Sequence, residues 1–253
     1  MPIQYARSLT SQQGSSRTIR HLGFTLAFIA GAANAGAYLA VQIYTSHMTG
    51  IVSSLADHLV LGEFTLALGA MGAVLSFLMG AMTSAIMINY GRRRALRSQF
   101  ALPLLLEAGL FLVFGLMGST LAGVTGLFVP ATVMLLCFMM GLQNAVITKI
   151  SGAVVRTTHL TGVITDLGIE LGKLIYWNRV DAGPEHRVVA DRLRLRMLGL
   201  LILFFLVGGV LGAIGFKQFG YLATLPLAGI LVLLSVVPVV DDLRGAALET
   251  GDA

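Results

Sequence analysis

The chain has 253 residues, 56% of them apolar and 11% charged, and a formal net charge of +5. A soluble domain is excluded by that composition, because the few charges are bunched between long uncharged runs. The Arg residues sit in the gaps between those runs, which fits membrane orientation and anionic lipid rather than nucleic acid.

Residues 1–20 are rich in Ser, Gln and Arg and read as a disordered tail. Arg17 and Arg20 precede an apolar run containing Ala30-Gly31-Ala32, which has the look of a cleavable signal. That reading is set aside, because cleavage there would cut next to Asn34, which belongs to a repeated element described below. A first span is expected over Leu22 to Val41, followed by a short piece over Thr49 to Leu61 and a second span over Phe64 to Tyr90. Arg92-Arg93-Arg94 and Arg97 follow. A third span is expected over Ala101 to Leu121, then a glycine-rich turn, Gly123 to Gly126, and a fourth over Pro130 to Ile150. A second short piece covers His159 to Ile175, and a polar loop runs from Asn178 to Arg196. Spans five and six are expected over Met197 to Phe216 and Tyr221 to Val239, ahead of a polar tail from Asp241 to Ala253. The lone Cys137 lies within a span, so no intrachain disulfide and no cysteine-based metal site is proposed.

The two short pieces open on the same string. Ser46-His47-Met48-Thr49-Gly50-Ile51-Val52-Ser53-Ser54-Leu55 aligns without a gap to Thr158-His159-Leu160-Thr161-Gly162-Val163-Ile164-Thr165-Asp166-Leu167. Upstream stand Gly31-Ala32-Ala33-Asn34-Ala35 and Gly141-Leu142-Gln143-Asn144-Ala145. Two copies of this pair of elements indicate an internal duplication. With every Arg cluster on the cytoplasmic side, neither short piece can cross the membrane. The expected fold is therefore an all-α integral membrane protein with six full transmembrane helices and two short re-entrant or broken helices. An odd number of spans in each half gives the halves opposite topology, an inverted repeat. The boundaries are 1–20 cytoplasmic tail, 21–125 first repeat, 126–240 second repeat and 241–253 cytoplasmic tail. A rival count keeps eight full crossings in two parallel four-helix halves.

A helix that begins inside the membrane turns unpaired N–H groups inward, and Ser46, Thr49, Thr158 and Thr161 are expected to cap it. Backbone broken at that depth must be buried in protein or line a wet cavity. From His159, helical spacing places Gly162, Asp166, Glu170 and Lys173 on one face; from His47 the same offsets give Gly50, Ser54, His58 and Leu61, with Asp57 beside them. The candidate binding residues are Asn34, His47, Thr49, Gly50, Asp57, His58, Asn144, His159, Thr161, Gly162 and Asp166. Imidazoles suit proton transfer near neutral pH, and ionisable groups within a membrane are functional candidates by default. The bland readings are helix stitching for the two Asn residues, packing for the small residues, and an interfacial ion pair for Glu170 and Lys173. Glu107 either snorkels to the surface or faces the cavity. The His pair has no third ligand at metal spacing, so no metal or other cofactor is assigned.

These two Gly-x-x-Asn-Ala and His-x-Thr-Gly elements resemble the YoaK-like family of bacterial multipass membrane proteins, catalogued as a domain of unknown function. The resemblance covers Leu22 to Val240. The family pattern commonly continues Met-Thr-Gly-Asn, where this chain has Ile51 after Gly50. The resemblance implies a bacterial inner-membrane location and supplies no substrate. The leading expectation is a small secondary transporter, with the lipid bilayer and an unidentified small solute or ion as partners and no nucleic acid. A homo-oligomer stays open. The rivals are an intramembrane enzyme using His and Asp as acid and base, and a non-catalytic sensor or assembly subunit.

Overall fold

The computed structural model describes residues 16–96, 98–121, 125–152, 157–177 and 187–251. In chain order these hold α1 (Ser16–Val41), α2 (Met48–Leu61), α3 (Phe64–Arg93), α4 (Ala101–Leu121), α5 (Thr125–Ile150), α6 (Leu160–Ile175), α7 (Arg192–Phe219), a 3-10 turn (Gly220–Ala223) and α8 (Thr224–Gly251). No strand occurs among the described residues. Residues 1–15 of the expected tail, 123–124 of the glycine-rich turn and 178–186 of the polar loop lie outside them. The segment read as a polar tail from Asp241 continues α8 as helix as far as Gly251. One of its acids has a structural task there: the Asp242 carboxylate accepts from the Ser98 amide at 2.8 Å, holding the end of α8 against the start of α4.

Local chemistry sets the ends of the short helices. Gly62 stops α2 in a left-handed conformation (φ 75°) that a side chain disfavours. The Glu63 amide then closes on the His58 carbonyl at 2.9 Å. Asp191 starts α7 by accepting from the Leu193 and Arg194 amides at 2.9 and 3.0 Å.

Two helix crossings organise the core. α1 runs parallel to α7: Phe24 stacks on Phe204 and, further along both helices, Gly36 meets Phe216. α3 runs parallel to α5 in the same way: Gly72 meets Met134 near the start and Lys149 donates to Asn89 at 3.3 Å near the end. Each crossing is a reciprocal glycine contact. Gly31 lies under the Phe205 carbonyl and Gly208 under the Phe28 carbonyl; Gly141 lies under the Phe77 carbonyl and Gly80 under the Phe138 carbonyl. A Cβ at any of the four would overlap backbone, so the helices approach this closely only because no side chain intervenes. α4 and α8 pair antiparallel, with Thr224 Oγ1 donating to the Phe111 carbonyl at 2.9 Å at the other end from Ser98 and Asp242.

α1 and α5 are largely buried, whereas α3 and α7 turn broad apolar faces outward, among them Leu68, Leu75, Met79, Leu206, Val210 and Leu211. Among the described residues, four stretches are long and apolar enough to cross a membrane: Arg17–Val41, Phe64–Arg93, Pro130–Ile150 and Arg192–Arg244, the last holding α7 and α8 on either side of the 3-10 turn. An apolar exterior around a core that contains polar groups is the pattern of a protein whose surroundings are lipid. Glu107 is one of those groups. It is fully buried in α4, so it does not snorkel, and neither carboxylate oxygen has a hydrogen-bond partner among the described residues.

Candidate functional site

The two repeated strings come together in space. A cavity of about 750 Å³ is lined from one side by Ser46, His47 and Thr49 and from the other by Thr158, His159, Thr161 and Gly162. Asn34 borders it, and Phe77 and Phe205, two of the four phenylalanines whose carbonyls meet glycines at the crossings, supply aromatic walls. Among the described residues, no Asp, Glu, Lys or Arg is in this lining.

The tips are held by the two asparagines. Asn34 Oδ1 accepts from the Ser46 amide at 3.2 Å and the Ser46 hydroxyl at 3.1 Å. Asn144 Oδ1 accepts from the Thr158 hydroxyl at 2.7 Å, while its amide nitrogen donates to the Met140 carbonyl at 2.8 Å. The Ser46 and Thr158 hydroxyls are engaged by asparagine, and Thr49 and Thr161 stand second in α2 and α6, inside the helix, so the expectation that these four cap the short helices is corrected. The N-cap residues are His47 and His159, and neither makes a side-chain capping hydrogen bond. Both N-termini thus present first-turn N–H groups at the cavity, with the partial positive charge that goes with them.

The two tips differ in one respect. A Cβ on Gly50 would collide with the His47 ring, so that ring lies against its own helix; Gly162 has open space instead.

Not every candidate reaches this cavity. Gly50 and His58 line a neighbouring cavity of about 530 Å³ with Ser54, Leu66 and Pro130. Asp166 lines a third, of about 660 Å³, with Gly162, Arg194 and Arg20. Its carboxylate pairs with Arg194 at 3.0 Å and is 44% exposed. His58 Nδ1 pairs with Glu63 at 2.6 Å. Asp57 is exposed on α2 and belongs to none of these three linings. Asn144 is buried behind the central cavity rather than in its wall.

Residues 22–237 match the family described as "Protein of unknown function (DUF1275)". The chain belongs to this family. No curated protein and no solved structure matches it. Family membership at this level leaves the chemistry to the residues themselves.

Phe77 and Phe205 escaped the sequence reading, as did Arg194. A signal for the aromatic pair exists: Phe77-Leu78-Met79-Gly80 and Phe205-Leu206-Val207-Gly208 are nearly the same string, and Phe28 and Phe138 precede Gly31 and Gly141 at the same distance.

Glu170 belongs to a structural network. It is 2% exposed, accepts from Lys173 at 2.9 Å and from the Asp191 amide at 2.9 Å, and so ties α6 to the start of α7. The Lys173 hydrogen bond, followed by that from Asp191, holds its carboxyl below the usual carboxylate range. A carboxyl lowered by folding stabilises above its unfolded pKa and loses that contribution as pH falls through the folded value. The apparent melting temperature should therefore decline as pH is taken below about 4, and Glu170→Gln should flatten that part of the decline. An identical acid limb in the variant would show that the network does not contribute.

Proposed function

We propose that this chain is a small-solute secondary transporter of a bacterial inner membrane, with both termini cytoplasmic, working by alternating access around the cavity shared by the His47 and His159 tips. The carrying observation is that both repeated strings line one cavity through uncapped helix N-termini, two imidazoles and hydroxyls. Such half-helix tips at a repeat interface are where secondary transporters bind their solutes.

The inverted-repeat reading draws support from matched contacts. The α1–α7 and α3–α5 crossings use the same reciprocal Phe-to-Gly contact, both run parallel, and each short helix packs on the long helix that follows it. Six crossings with the Arg92 and Arg192 ends on one side agree with the Ser98–Asp242 bond and with parallel α1 and α7. The inward N–H groups, with no carboxylate among the described lining residues, favour a neutral or anionic solute. Asp166 argued for a cation in the sequence; here it is matched by Arg194 and sits in another cavity. The acid–base enzyme reading loses its carboxylate by the same placement.

The test is ligand-induced stabilisation across a panel of neutral and anionic metabolites, followed by uptake of the hits into proteoliposomes. Uptake above protein-free vesicles is expected for at least one hit. A panel that gives binding without flux would replace transport by a sensor role.

A further inference from the structure

We propose that the pocket between the first turns of α1 and α7 is a binding site for the phosphate headgroup of an anionic lipid. Arg17 and Arg20 from α1 and Arg196 from α7 converge on a cavity of about 260 Å³ floored by Phe24, Met197 and Leu200. The lining also includes His21 and, among the described residues, no carboxylate. Each helix supplies positions i, i+3, i+4 and i+7 (17, 20, 21, 24 and 193, 196, 197, 200), a single face pointing at its partner.

The charges are uncommitted. None of the three guanidiniums has a hydrogen bond or ion pair among the described residues, whereas nearby Arg194 is neutralised by Asp166 and Asp191 is occupied as a cap. Three like charges gathered without a counter-ion repel one another unless an anion joins them. Planar guanidiniums suit a phosphate in particular.

The floor selects a lipid over a free ion. It continues outward along α1 and α7 through the Phe24–Phe204 stack, with Phe204 itself 38% exposed, which offers a track for an acyl chain below the charged rim. Basic pockets between helices at the cytoplasmic face hold anionic lipid in this manner.

The other half of the chain provides the contrast. Counting back from Phe138 and Phe77 as Arg20 and Arg196 count back from Phe28 and Phe205, the matching positions are Pro130 and Leu68. The same helix geometry thus has a charged rim at one end only. Arg residues placed solely to orient the chain need neither convergence nor a pocket. The proposal rests on the membrane reading and not on transport.

The experiment compares the full-length protein with two triple variants that each remove three positive charges: Arg17→Gln/Arg20→Gln/Arg196→Gln in the pocket, and Arg92→Gln/Arg93→Gln/Arg94→Gln elsewhere. Each is purified in a neutral detergent and titrated with phosphatidylglycerol, phosphatidylcholine or inorganic phosphate, reading the melting temperature and bound lipid by native mass spectrometry. The wild type and the Arg92 control should be stabilised by phosphatidylglycerol alone, and the pocket variant should bind it at least tenfold more weakly. Equal phosphatidylglycerol affinity in the two triple variants overturns the proposal. So does an equal response to phosphatidylcholine, and an equal response to inorganic phosphate reduces the site to a simple anion site. Should the pocket triple fail to fold, Arg20→Lys keeps the charge, loses the planar fork and should weaken binding several-fold; unchanged affinity would count against the assignment.

Discussion

Gly141→Ala, and equally Gly31→Ala, should lower the apparent melting temperature by on the order of 5 °C. A methyl at either position would sit inside the carbonyl of Phe77 or Phe205 on the facing helix, and backbone cannot step aside as the end of a flexible side chain can. Overpacking of this kind costs about 1–3 kcal/mol, and in a chain of this size each kcal/mol moves the midpoint by about 2–4 °C. The same substitution at Gly168, where nothing lies within 4 Å of a built Cβ, should have the opposite sign. There alanine recovers helix propensity, up to about 1 kcal/mol. The measurement is thermal unfolding in one detergent for all the variants. If Gly141→Ala melts with or above the wild type while Gly168→Ala does not gain, the close approach of α3 and α5 is not what holds the core.

Much of the helical layout could be read in the sequence, because uncharged runs bounded by Arg clusters are a strong signal in a chain with so few charges. The short piece expected from Thr49 to Leu61 is α2, Met48–Leu61, and the one expected from His159 to Ile175 is α6, Leu160–Ile175. The tips of these helices were legible as strings, but their chemistry was read one step too simply. A hydroxyl at a helix start is ordinarily a cap, and only the fold shows that Asn34 and Asn144 take up Ser46 and Thr158 from another helix. Its spacing to His159 marks Asp166 as an ionisable centre. Spacing along one helix carries no information about Arg194, which lies 28 residues away and supplies the counter-charge. The four Phe-x-x-Gly strings were visible throughout. They went unread because glycine and phenylalanine are both common in spans, and the meaning of the pair lies in which carbonyl meets which glycine across two helices.

The second large effect concerns the central cavity and separates its two halves. On the proposed transport reading, His47→Ala and His159→Ala should each reduce solute uptake by roughly tenfold or more, since one lost hydrogen bond to a bound solute is worth about 1 kcal/mol and a charged one about twice that. The glycines then distinguish the two tips. At Gly50 a methyl would run into the His47 ring and force it from the helix; at Gly162 the corresponding space is open. Gly50→Ala should therefore reproduce most of the loss seen in His47→Ala, while Gly162→Ala should stay within about threefold of the wild type, having added only one methyl to a cavity of about 750 Å³. Neither change should disturb folding beyond about 1 kcal/mol, because both glycines lie in first helical turns where alanine is well tolerated. Uptake and ligand-induced stabilisation must move together if the imidazoles touch the solute. Should Gly50→Ala transport as the wild type does while His47→Ala is inactive, His47 acts from some position other than the one its packing on Gly50 dictates. Should both histidine variants retain full uptake, the cavity shared by the two tips is not the path the solute takes.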